Sequence, residues 1–136
     1  MIEPAFRIIL TQHTATAALV TDRIHFGVSP QNERRPRIVL TLVSSVPAHT
    51  FDGSGGYTRG RMQIDCLAPS YPAAKDLAAA ARAALDNTYS KTVDGTAIDY
   101  IEADVARDIP MAPPVGAELP TTYGVSFDCR FQHQGI

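Results

Sequence analysis

The stretch YTRGRMQIDCLAPSYPAAKDLAAAARAALDN, Tyr57 to Asn87, reads as a strand, a tight turn and an alanine-rich helix. Met62, Ile64 and Cys66 alternate with Arg61, Gln63 and Asp65, the period of two of a strand with one buried face. The alternation stops at Pro69-Ser70, where Ser70 is a natural N-cap and Pro72 is tolerated in a first turn. From there to Leu85 nothing interrupts a helix, and alanine has the highest helix propensity. The expected buried stripe is Tyr71, Ala74, Leu77, Ala78, Ala81 and Leu85, with Lys75, Asp76, Ala79 and Arg82 outward. Such a stripe removes little apolar area from water per residue, so the helix should lie close against a sheet.

Upstream, Arg37–Ser45 (RIVLTLVSS) is a strand with Ile38, Leu40 and Leu42 on one face and Val39, Thr41 and Val43 on the other. Two largely apolar faces suit a central strand, or one whose second face meets a partner. Val46–Gly56 (VPAHTFDGSGG) has loop chemistry and should close an antiparallel hairpin with a long tip that exposes Phe51. Before it, Ser29–Pro36 is a polar loop, Ile24–Val28 a candidate short strand and Thr16–Val20 a short helical piece. Ile2, Phe6, Ile9 and Leu10 recur at near-helical spacing, with Pro4 acceptable in a first turn.

Downstream, Asp86 to Gly95 is expected to be a polar connection, followed by a strand at Ala97–Ala106 whose imperfect alternation allows a bulge. Asp108–Pro120, with Pro110, Pro113, Pro114, Pro120 and Gly116, is a loop. Thr121–His133 is the last strand, with Tyr123, Val125, Phe127, Cys129 and Phe131 inward. Ser126, Asp128, Arg130 and Gln132 should face water or another subunit. The expectation is an α+β fold, a single domain over residues 1–136. It is a mostly antiparallel sheet of about four main strands with helices packed on one face, in the order α-β-β-α-β-β.

With 136 residues, 45% of them hydrophobic, the chain suffices for one moderate core. Twelve Lys and Arg against fourteen Asp and Glu give a net charge of −2, so no positive excess favours tight binding to nucleic acid or an anionic membrane. The N-terminal MIEPAFRIILTQHT has too short an apolar run for a signal peptide, and no run approaches the roughly 20 apolar residues of a membrane span. Two cysteines without a secretory leader suggest a reducing compartment and free thiols. The expectation is a soluble protein without a membrane partner.

No catalytic signature emerges. His13, His25, His49 and His133 are scattered, and Cys66 and Cys129 each stand alone, so neither zinc spacing nor a paired nucleophile is present. Both cysteines occupy inward strand positions and read as small core hydrophobes, with a disulfide open if their strands are adjacent. Gly53-Ser54-Gly55-Gly56 lacks the Lys-Ser/Thr ending that would open a helix onto phosphate, and reads as a hairpin tip. Glu102 and Asp104 share a strand face without an evident cleft, which suits a solvated face. The basic clusters Arg34-Arg35-Arg37 and Arg59/Arg61 fit surface charge or pairing with a neighbour's acids. No cofactor and no metal are expected, and the residues favour an assembly or binding module over an enzyme.

The opening stretch resembles a pattern in the tail-completion, or tail-terminator, proteins of long-tailed bacteriophages and related prophage and gene-transfer particles. It is carried by Arg61, Gln63, Asp65, Cys66, Tyr71, Ala74, Leu77, Ala78, Ala81, Arg82 and Leu85. Asp22-Arg23-Ile24 before Pro30-Gln31, Ile38-Val39-Leu40, and Ser126-Phe127-Asp128-Cys129-Arg130-Phe131 fit in the same order. The likeness thus spans most of the chain and rests on order and spacing. His25-Phe26-Gly27 stands where a proline-containing turn is common, which leaves rim geometry open.

The resemblance implies a non-enzymatic structural protein of the virion tail, present in the bacterial cytoplasm during assembly. As a ring, commonly a hexamer, it would cap the head-proximal end of the tail tube, end tube polymerisation and offer a surface for head joining. Its partners would be copies of itself, the tail tube protein and a head-completion or connector protein, with DNA passing through the lumen without specific binding. The contact candidates are Phe51, Gly53, Gly55 and Gly56 at the tip, with Arg59 and Arg61 beside it. Two alternatives are another neck component, such as a head-closure or adaptor protein, and a small ligand-binding or enzymatic α+β domain.

Overall fold

A computed structural model of the protein describes residues 2–27, 36–50, 53–109 and 122–135. Over these residues the helices are α1 (Glu3–Gln12), α2 (Thr14–Val20) and α3 (Tyr71–Leu85). The strands are β1 (Ile24–Phe26), β2 (Arg37–Thr50), β3 (Gly53–Ala68), β4 (Thr88–Val93), β5 (Thr96–Ile109) and β6 (Tyr123–Gln134). One sheet joins the six strands in the order β1-β2-β3-β6-β5-β4. β1 runs parallel to β2, and the other neighbours are antiparallel.

This corrects the expected α+β class. The described chain is mostly strand, built on a six-stranded mixed sheet. It is not a layer of about four main strands with helices packed on one face. Its element order is α-α-β-β-β-α-β-β-β.

Three local features account for the difference. β1, foreseen as a candidate short strand at Ile24–Val28 and not counted among the four main ones, covers Ile24–Phe26 and joins the sheet at its edge. In Val46–Gly56, glycine and proline suggest a loop, yet pairing continues through Pro47↔Thr58, His49↔Ser54 and Thr50↔Gly53. A register shift between Pro47 and His49 accommodates the residue that has no N–H to donate. Thr88–Val93 is polar because it is an edge strand with most of its residues exposed. It turns into β5 through Asp94-Gly95, both at positive φ (50° and 76°), the two-residue turn that matches strand twist.

The hub stretch folds much as its pattern dictates. Ser70 Oγ caps α3 by accepting from Ala73 N at 3.3 Å. Ala74, Leu77, Ala78, Ala81 and Leu85 are buried. Full burial of Leu77 and Leu85 is worth roughly 1.5–3 kcal/mol each, and the alanines between them admit close approach to β3 and β6. Tyr71 departs from the stripe. It is 42% exposed, donates to Asp108 Oδ2 at 2.9 Å and meets Tyr123 edge-on at 6.3 Å between ring centroids. Tyr123, expected inward, is correspondingly 40% exposed, while Ser126, expected outward, is buried.

The core gathers Ile38, Leu40, Met62, Ile64, Cys66, Val125, Phe127, Cys129 and Phe131 from the sheet against Phe6 and Leu10 of α1. Phe6 meets Phe131 edge-on at 5.8 Å. Leu42, expected to continue this row, is 36% exposed beside the register shift between Leu42 and Ser44. Gly60 is required for strand contact. A Cβ there would collide with the Ser44 carbonyl and lie 2.5 Å from Phe131 Cζ. Cys66 and Cys129 are free and buried on neighbouring strands, opposite Val125 and Met62 respectively, not each other. Burial pushes both thiols up, that of Cys129 to about 12.

Candidate functional site

The alternation that buries Met62, Ile64 and Cys66 turns Arg59, Arg61, Gln63 and Asp65 to the opposite face of β3. Directly across on β6 stand Gln132, Arg130, Asp128 and Ser126. Arg61 Nη1 lies 3.2 Å from Asp128 Oδ2 and 3.5 Å from Asp104 Oδ2. Asp128 also receives Arg107 at 3.5 Å, and Asp104 receives Arg130 at 3.9 Å. Arg107 Nη2 donates to Gln63 Oε1 at 3.3 Å, and Gln63 Nε2 donates to Asp65 at 3.0 Å. Each exposed pair contributes only about 0–1 kcal/mol, but shared acids fix several arginines in one arrangement.

Toward the hairpin, Arg59 Nε donates to Gln132 Oε1 at 2.9 Å while its guanidinium lies 5.3 Å from the Tyr57 ring centroid. Gln132 and Gln134 in turn donate to Asp99 at 2.6 and 2.8 Å. Bonds from Gln134 and Gln132 to the ionised carboxylate hold Asp99 below its usual pKa. This face is therefore an ordered lattice of both charge signs, largely satisfied within the chain.

Among the sequence candidates, the structure brings Arg59 and Arg61 together in this lattice, with chain-internal partners. Gly53, Gly55 and Gly56 lie at the start of β3, and Gly56 has φ +80°, a conformation suited to glycine. Phe51 lies outside the described residues, as do most of the two expected loops at 29–36 and 108–120. β6 pairs with β3 from Tyr57 onward, and Gly135 N donates to Gly56 O at 2.8 Å, so among the described residues His49–Thr50 and Gly53–Gly55 extend past β6 as a two-stranded arm. At its base an open depression of about 330 Å³ is lined by Val46, Pro47, Ala48, His49, Tyr57 and Arg59. A second, of about 270 Å³, lies between Ser44, Arg61, Tyr100 and Arg130. Such open hollows suit a protruding side chain or loop better than an enclosed small ligand.

Sequence reading missed two clusters, Asp99 with Gln132 and Gln134, and Arg107 with Asp128 and Gln63. Strand alternation alone could have placed each on the outer face, but not which strands are neighbours. Among the described residues, no group of three or more His, Cys, Asp or Glu could hold a metal ion, and no helix is long and apolar enough to cross a membrane.

Comparison with known proteins adds to this geometry. The family described as Tail completion protein gp17 matches residues 5–130. A chain of the solved structure "Virion of native gene transfer agent (GTA) particle" is similar with a TM-score of 0.73 at 17% sequence identity. The similarity covers 97% of this chain and 93% of that one, and at such identity it speaks to the fold. A search of curated proteins found no match.

Proposed function

The chain belongs to the Tail completion protein gp17 family, a structural component of phage tails, and from that premise we propose that it is the terminator of the tail tube. In this reading copies assemble as a ring, a hexamer in the simplest case. The ring caps the head-proximal end of the tube, stops its polymerisation and presents a surface to the head-completion or connector protein. The observation that carries the reading is the family match across residues 5–130.

The geometry supports it. A two-stranded arm reaching beyond the sheet is suited to engage a tube subunit, with Phe51, Gly53, Gly55 and Gly56 as its contact residues and Arg59 and Arg61 at its base. Arg61, Arg107 and Arg130 of the outer face are matched by Asp104 and Asp128, so a lumen lined by it would offer DNA few free cations. Six copies at −2 each carry a net charge of about −12, which lets DNA slide through unheld. The protein then works in the virion, at the head end of the tail, after assembly in the host cytoplasm.

Uncapped tail tubes incubated with gold-labelled protein and imaged by negative stain test the placement. Label at one tube end, the end that afterwards joins heads, is the expected result. Label on head connectors with bare tube ends would contradict it and favour a head-closure protein.

A further inference from the structure

The sheet leaves two of its long strands half covered, at opposite edges and opposite ends. β1 pairs with β2 only at Ile38–Leu40, so Thr41–Thr50 has β3 on one side and, among the described residues, no strand on the other. β4 covers β5 only from Thr96 to Ile101, so Glu102–Ile109 likewise has β6 alone.

The cross-sheet register sets the height of each step. Ile101 is level with Phe131, Gly60 and Ser45, so β4 lies in the rows of the open half of β2. Ala106 is level with Phe127, Ile64 and Leu40, so β1 lies in the rows of the open half of β5. The protruding strand at each edge therefore stands in rows that the other edge leaves open, β4 from Ser45 onward and β1 from Leu40 downward.

Exposed apolar side chains follow the same division. Phe26, Leu42, Val43 and Val46 lie along the β1–β2 edge, and Tyr89 and Val105 along the β4–β5 edge. The other large exposed apolar side chains among the described residues, Tyr71 and Tyr123, pack against each other.

We propose that the occupant of each recess is a second copy of this chain. β4 of one copy lies beside the open half of β2 in the next, running parallel to it. In the same junction β1 of that neighbour lies beside the open half of β5, antiparallel to it. The interface is heterologous, each copy using two different edges, the kind of contact from which closed rings are built, and it covers most of both open halves. This inference rests on the ring reading above and specifies how its subunits join.

Two single variants test it, Val46→Asp at the β2 recess and Tyr89→Asp on β4, which share one row of the register. Both side chains are more than half exposed, at 61% and 55%, so both variants should keep the wild-type melting profile. Oligomeric state is read by native mass spectrometry under conditions where wild type forms rings, with tail tubes added if needed. Each variant alone should stay monomeric. Their mixture retains one intact junction and should give a 1:1 heterodimer that grows no further. Hydrogen exchange on wild type supplies a second readout, with amides of Thr41–Thr50 and of β4 protected in the ring relative to the monomer. Rings from either variant, a homodimer of one variant, or unchanged exchange at both edges would overturn the edge pairing while leaving the ring standing. Absence of any wild-type ring, with or without tubes, removes the ring reading and the pairing together.

Discussion

Single residues decide how closely the strands approach. Gly60→Ala places a methyl group against the Ser44 carbonyl and Phe131, and backbone has little room to give. The expected loss is about 1–3 kcal/mol, measured as a lower urea midpoint at unchanged slope. Cys66→Ser puts a hydroxyl into a wholly buried apolar site and should cost roughly 1–3 kcal/mol if it finds no partner. Burial and raised pKa also predict that neither thiol reacts with a disulfide reagent until the protein is unfolded, so rapid labelling of native protein would contradict the inward placement. Asp99 gives a pH prediction with a definite sign. Its folded pKa is lowered, so its contribution is fully present above the ordinary value of roughly 3.9 and fades as pH falls through the folded value. Carbon-detected NMR titration should find Asp99 below the usual carboxylate range, and Gln134→Leu should move it back up. The period of two made Met62, Ile64, Cys66 and Phe127 legible as core from sequence. It could not reveal that Tyr71 and Tyr123 leave the core to pack on each other, because only the fold brings α3 beside the start of β6.

At the scale of elements, strand length was the hardest feature to foresee. Glycine and proline weaken strand propensity, so Val46–Gly56 looks like a loop, yet pairing extends the strands of this hairpin to Thr50 and Gly53. Asp94-Gly95, by contrast, is a plain hairpin signal flanked by residues too polar to suggest a strand, and the edge position of β4 explains that polarity. The arm makes an element-level prediction. Replacing residues 49–56 by Asn-Gly should shorten β2 and β3 without touching the described core, leaving the melting temperature within a few degrees. Co-sedimentation with tail tubes should then be lost. Retained tube binding by the shortened protein would move the contact elsewhere, most directly to the charged face around Arg61 and Asp104.

For the whole molecule, the identity of the chain lay in the order of its pieces more than in any one of them. The strand–turn–helix at 57–87, the strand at Ile38–Leu40 and the closing Ser126–Phe131 segment carry a family pattern without a catalytic signature, and the family match spans residues 5–130. The outer charged lattice was not legible, because Arg61, Asp104, Arg107 and Asp128 meet only once the order β3-β6-β5 is known. A structural component of a phage tail is part of a larger object, so its function is read best on that object. The most direct measurement is the length distribution of tails assembled with and without this protein, imaged by electron microscopy. Termination predicts overlong, uncapped tubes that fail to join heads in its absence, and tubes of uniform length when it is restored. Tubes of normal, uniform length without the protein would contradict the account.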